Sequence, residues 1–203
     1  MGRVSETIDD SLRAFLAAQH LFFVATAPSG ADGHVNCSPR SADTFRVLDE
    51  TTVAWLDGIG SGVETAAHLR QNGRIVLMFC AFEGAPKIVR LHGRGEVFEP
   101  DQPEFVTLRP HFGEVSFAER AIVRLAVARV AESCGFGVPL YRYEGEREQM
   151  AHWAAKKGRD GARAYVREKN ARSLDGLQGR RGAERSTARP RPPTRRRGRT
   201  RAE

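Results

Sequence analysis

The sequence predicts a mainly β chain, with six or so short antiparallel strands curled into a closed or half-closed barrel and a few flanking helices. Three observations carry this. Short apolar runs recur along the chain, separated by turn clusters such as Pro28-Ser29-Gly30 and Glu83-Gly84-Ala85-Pro86. Strand and helix do not alternate throughout, as a doubly wound sheet would require. A glycine-rich turn, Gly58-Ile59-Gly60-Ser61-Gly62, joins an apolar strand to a helix in mid-chain.

The elements follow in order. Residues 6–19 read as an amphipathic helix with Ile8, Leu12, Phe15 and Leu16 on one face. Residues 21–26 form a buried strand, and residues 34–38 return beside it after the turn at 28–33. Residues 45–48 and 52–56 are two more strands about Asp49-Glu50. A helix is expected over 63–71, then a long hairpin of strands 74–82 and 88–98. Gly93 and Gly95 within its second strand mark a sharp bend or a close approach of backbone or ligand. A short helix covers 101–110. Residues 121–130 alternate weakly and fit strand or helix; Ile122, Val123, Val127 and Val130 favour strand. Residues 145–156 and 159–169 read as two helices.

The chain has 203 residues, 40% of them hydrophobic and 28% charged, enough for one domain with a sizeable core. Its net charge of +7 is unevenly placed. Residues 180–203 hold ten arginines and two glutamates, which leaves 22 basic against 23 acidic residues in residues 1–179. The expected organisation is therefore a folded unit over 1–179 and a disordered Arg/Pro-rich tail over 180–203. The tail suits a polyanion such as nucleic acid only through non-specific counterion release, because it has no aromatic residue to stack on a base. An unstructured extension is the favoured reading.

Several function classes are excluded. No apolar run approaches the ~20 residues that span a bilayer, and the N-terminus lacks the apolar stretch of a signal peptide. The expected location is the cytoplasm. Three separated cysteines, Cys37, Cys80 and Cys134, argue against a disulfide framework or structural zinc, and Cys80 reads as a buried thiol. The six histidines form no metal-binding pair. No nucleophile elbow, catalytic triad order or carboxylate pair is visible.

The glycine turn admits three readings. A Rossmann fingerprint fails at Val63, where the third glycine belongs, and lacks parallel βαβ context. A P-loop fails because no lysine lies between Ser61 and Arg70. A plain strand-to-helix turn with no ligand stays open. Yet a strand end, a glycine turn and a helix start together gather unpaired backbone N–H groups with a helix dipole behind them, which suits phosphate.

The segments VNCSPRSADTFRVLD (35–49), VAWLDGIGSGVETAAHLRQNGRIVLMF (53–79) and IVRLHGRGEV (88–97) occur in an order that resembles the pyridoxamine 5′-phosphate oxidase-like family of FMN-binding split barrels. The resemblance covers roughly residues 15–140. It is nearest to a bacterial subgroup with an SPKG-like turn, a GSGxET turn and an SCGxGVP segment, here Ser38-Pro39-Arg40-Ser41, residues 60–65 and residues 133–139. It implies a six-stranded antiparallel split β-barrel and an FMN-dependent oxidoreductase.

By that resemblance Arg40, Ser61, Gly62 and Thr65 hold the FMN phosphate. Asn36, Cys37, Ser38, Trp55, Leu56 and Asp57 border the flavin ring, with core packing favoured for Trp55. Arg94, with Arg90, reaches the cofactor of a partner subunit or lies on a solvated face. The better-known oxidases carry an Arg-Lys pair where this chain has Glu64-Thr65, a departure that leaves room for a deazaflavin. His68 is expected at the surface or an interface. Oxidation of pyridoxamine phosphate itself is disfavoured, because the C-terminal basic motif that grips that substrate has no counterpart here. A homodimer is implied. The alternative is a non-catalytic flavin, deazaflavin or haem carrier, for which His92 and His111 are candidate haem ligands.

Overall fold

The computed structural model describes residues 2–115 and 118–181. In order, these form β1 (Val4–Ser5), α1 (Asp10–Ala17), β2 (Leu21–Thr26), β3 (Asn36–Ser41), β4 (Phe45–Val47), β5 (Thr52–Gly58), α2 (Glu64–Asn72), β6 (Arg74–Cys80), β7 (Ile88–Phe98), α3 (Pro103–Leu108), β8 (Glu119–Ser133) and α4 (Gln149–Lys169). Single 3-10 turns follow β3 and α3. The predicted tail from residue 180 lies, but for Arg180 and Arg181, outside the described residues.

The sheet runs β3-β2-β6-β7-β8-β5-β4, antiparallel at every pairing, and β1 adds to β8. It curls into the half-barrel of a split barrel. The six long strands and the three-residue β4 are the ones expected from sequence; β1, of two residues, is the addition.

Local chemistry explains the bounds. Helix α1 starts at Asp10 because the Asp9 carboxylate accepts the Leu12 N–H at 2.8 Å, a cap that holds the Asp9 carboxyl below its usual range. Ile8, Leu12 and Leu16 then seal one end of the barrel core. Strand β5 alternates between two cores. Val53 and Trp55 face the interior with Phe22 and Phe79, while Ala54 and Leu56 face α3 with Phe98, Phe105 and Ile122. Trp55 meets the Phe22 ring edge-on at 5.8 Å.

Gly93 marks a register shift between β7 and β8, where an added Cβ would lie 1.9 Å from the Ala126 carbonyl oxygen. The close approach expected there is backbone on backbone. The two helices expected at the C-terminal end are the two halves of α4, which divide at Gly158, where φ is 64° and ψ 174°. Cys80 is a buried free thiol, and burial pushes its pKa up.

Candidate functional site

The glycine turn leaves β5 at Gly58 and enters α2 at Glu64. Val63 occupies the N-cap and has no side chain that can cap, so the first N–H groups of α2 receive no help from it. The carbonyl side of the turn is fully engaged. Asn170 Nδ2 donates to the Gly60 and Ser61 oxygens at 2.9 and 3.3 Å, and the Arg120 guanidinium donates to the Gly62 oxygen at 2.6 Å. In a trans peptide the next N–H points opposite to the carbonyl. The Ser61, Gly62 and Val63 N–H groups are therefore turned the other way. The N–H groups of residues 60–66 have no hydrogen-bond partner among the described residues.

Beside the turn lies a buried charge relay. Arg120 donates from Nε and one terminal nitrogen to Asp57 Oδ2 at 2.9 and 2.7 Å, and both side chains are nearly enclosed. Arg40 approaches the other oxygen, Asp57 Oδ1, at 3.4 Å. That distance makes an ion pair without a well-formed hydrogen bond, so Asp57 Oδ1 and Arg40 Nε are left without hydrogen-bond partners. Arg40 therefore keeps one unused donor, its buried Nε, beside that ion pair.

A polar network binds α2 to β2 and β3. Ser38 donates to Asn36 Oδ1 at 3.0 Å, and Asn36 Nδ2 donates to Thr65 Oγ1 at 3.1 Å. Thr26 Oγ1 stands 3.4 Å from Asn36 Nδ2 and 2.9 Å from His68 Nδ1. His68 corrects the sequence expectation: it is wholly buried, not at the surface. Residues 65–69 of α2 are buried on every side, because the helix is wedged between β2, β7 and the C-terminal segment. Burial pushes the His68 pKa down, against the pull of Asp175, Glu64 and Thr26.

The expected site residues thus form two groups about the turn that holds Ser61 and Gly62: Asn36, Ser38 and Thr65, joined by hydrogen bonds, and Arg40 and Asp57, tied through Arg120 to the turn carbonyls. The other expected site residues lie apart. Cys37 is exposed on the opposite face of β3. Trp55 is in the interior core with its Nε1 unpartnered, and Leu56 faces α3. Arg94 is exposed at the far end of α2, donating to the Asn72 carbonyl at 2.9 Å.

Glu64 lies over the turn. One carboxylate oxygen accepts the Leu174 N–H at 3.2 Å, and the other would be 2.8 Å from a Cβ on Gly62. Sequence reading missed Thr26, Arg120 and Asn170. Arg120 had one signal, a cation directly before the apolar run of β8. Asn170 had none, since the turn carbonyls it binds are about 110 residues away.

Comparison with known proteins agrees with this architecture. The family model for pyridoxamine 5′-phosphate oxidase matches residues 8–134. The chain belongs to the pyridoxamine 5′-phosphate oxidase family. A family member from Aspergillus flavus, the pyridoxamine 5′-phosphate oxidase family protein ustO, is 36% identical over 192 residues, covering 86% of this chain and 76% of its own. Among solved structures, a tagged variant of HupZ from Group A Streptococcus shares the fold, with a TM-score of 0.50 and 22% identity over 62% of this chain and 99% of that one. The family match ends at residue 134, so α4 and Asn170, which close the carbonyl side of the turn, lie beyond it. Among the described residues no helix is long and apolar enough to cross a membrane, and no group of three or more His, Cys, Asp or Glu residues is arranged to hold a metal ion.

Proposed function

We propose that the chain is a flavin-dependent oxidoreductase of this family, with FMN as the cofactor and a small molecule as substrate. The observation that carries this reading is the row of unpaired N–H groups at residues 60–66, facing away from engaged carbonyls and close to an arginine with an unpartnered nitrogen. These groups fit a phosphate monoester. The turn amides, the Ser61 hydroxyl and Thr65 would donate to it, and Arg40 would supply the counter-charge. Asn36 and Ser38 would border the ring. Bound FMN supplies the hydride chemistry; the residues of this chain bind, orient and shield it.

Glu64 opposes the phosphate as a like charge over Gly62, which makes a deazaflavin the second reading. A homodimer in the cytoplasm is part of the proposal. The outer face of β2, β6 and β7 supports it, because Phe23, Val76 and Met78 are only half-buried there.

The visible spectrum of the purified protein, with and without added FMN, tests the proposal. Bands near ~370 and ~450 nm that stay with the protein through gel filtration and weaken in Arg40→Ala support it. A colourless protein that does not retain FMN overturns it in favour of another cofactor.

A further inference from the structure

A cleft of about 800 Å³ lies between α4 and the barrel, on the side of α2 away from Thr65 and His68. Its floor is apolar, formed by Ile59, Val63, Ala66 and Val97, and Ala162 and Val166 face them from α4. Its rim is cationic. Arg159, Arg163 and Arg167 follow each other at intervals of four on α4, so one helical stripe presents all three. Arg180 adds a fourth cation from the segment after α4, and none of the four has a carboxylate partner among the described residues.

Like charges stacked at this spacing repel and cost stability unless something answers them. The acids of the cleft do not. Glu99 is engaged by Arg70 at 2.5 Å and Glu119 by Arg109 at 2.6 Å, which leaves Asp101 as one carboxylate against four arginines. Deeper in, burial lowers the Arg70 pKa; Glu99 opposes this, and Arg181, Arg120 and Arg180 reinforce it. Residues 182–203 carry eight further arginines and two glutamates, so the chain's own C-terminal segment has the wrong sign to fill the cleft.

We infer that this cleft binds a small amphiphilic anion, an apolar body against Val63, Ala66, Ala162 and Val166 with a carboxylate or phosphate head on the Arg159, Arg163 and Arg167 stripe. The volume suits a ligand of that size. The inference does not depend on the flavin reading, and its test is made without FMN.

The probe is anilinonaphthalene sulfonate, followed by fluorescence on the full chain and competed with decanoate, decyl phosphate and decanol. Saturable probe binding is expected, displaced by the two anions and not by decanol at the same concentration; the stronger anion identifies the head group. The double variant Arg163→Glu, Arg167→Glu changes exposed side chains only, and retained near-UV circular dichroism checks its fold. It should weaken decanoate about tenfold or more. The matched variant Lys156→Glu, Lys157→Glu, on the half of α4 before Gly158 and outside the cleft lining, should stay within about twofold. No saturable binding, equal competition by decanol, or an equal loss in the lysine variant would each overturn the inference.

Discussion

The Arg40 guanidinium stands 3.4 Å from the Asp57 carboxylate, across strands that are first and sixth in the sheet order. No backbone ladder joins β3 to β5. The pair spans the open seam of the half-barrel at the end where the glycine turn leaves β5, and Arg120 completes it by joining Asp57 to the turn carbonyls. The seam and the candidate cofactor site are therefore one polar structure.

Asp57→Ala should be the most damaging single change at this seam. It leaves Arg120 buried without its counter-ion, a loss of about 3–5 kcal/mol. Thermal denaturation should show a fall of several degrees in Tm. A variant as stable as the parent would mean that Arg120 is satisfied by the carbonyls of Gly60 and Gly62.

Arg40→Ala should separate binding from stability. Arg40 is partly exposed and its ion pair is long, so the change should cost no more than about 1 kcal/mol of stability. FMN affinity, read by quenching of flavin fluorescence, should fall about tenfold or more if Arg40 holds the phosphate.

Glu64→Gln should act in the opposite direction. Removing the like charge over Gly62 while keeping a polar group for the Leu174 N–H should tighten FMN binding about threefold to tenfold. Unchanged or weaker binding in an isothermal titration would place the phosphate elsewhere.

The fold should lose stability as pH falls below about 6.5. Burial pushes the folded-state pKa of His68 below the ordinary histidine value of 6.5, so the unfolded chain takes the proton first. The neutral-imidazole contribution is full above 6.5 and shrinks as pH falls toward the folded value. His92 points the same way, lowered by burial and then by Arg129 and Arg90. Chemical denaturation at several pH values should show a shallower decline in His68→Asn than in the parent. An unchanged slope would assign the effect to His92.

Gly93→Ala should destabilise by about 2 kcal/mol or more, because its Cβ would enter the Ala126 carbonyl and push β7 from β8. Gly84→Ala, with open space at its Cβ but φ 70°, should cost less, about 1 kcal/mol.

The long strands were legible from local pattern. Residues 21–26 and 88–98 are bounded in the structure as their periodicity and flanking turns predict, because period-two alternation and turn chemistry are properties of neighbouring residues. The break at Gly158 and the special role of Gly93 were visible for the same reason. The motif at residues 58–65 marked a strand-to-helix turn, and the structure has one between β5 and α2. What pattern could not reveal was which side of that turn is free. This depends on Asn170 and Arg120, which reach the turn from about 110 and 60 residues away. Nor could pattern distinguish a buried His68 from an exposed one, since nothing in a short helix rich in alanine states that β2, β7 and the C-terminal segment enclose it. Residue identity specified the strands, the turn and the available donors. Which donors stay unpaired, and which charges face one another across the seam, follows from long-range closure of the sheet, where burial makes each unanswered charge costly enough to decide the arrangement.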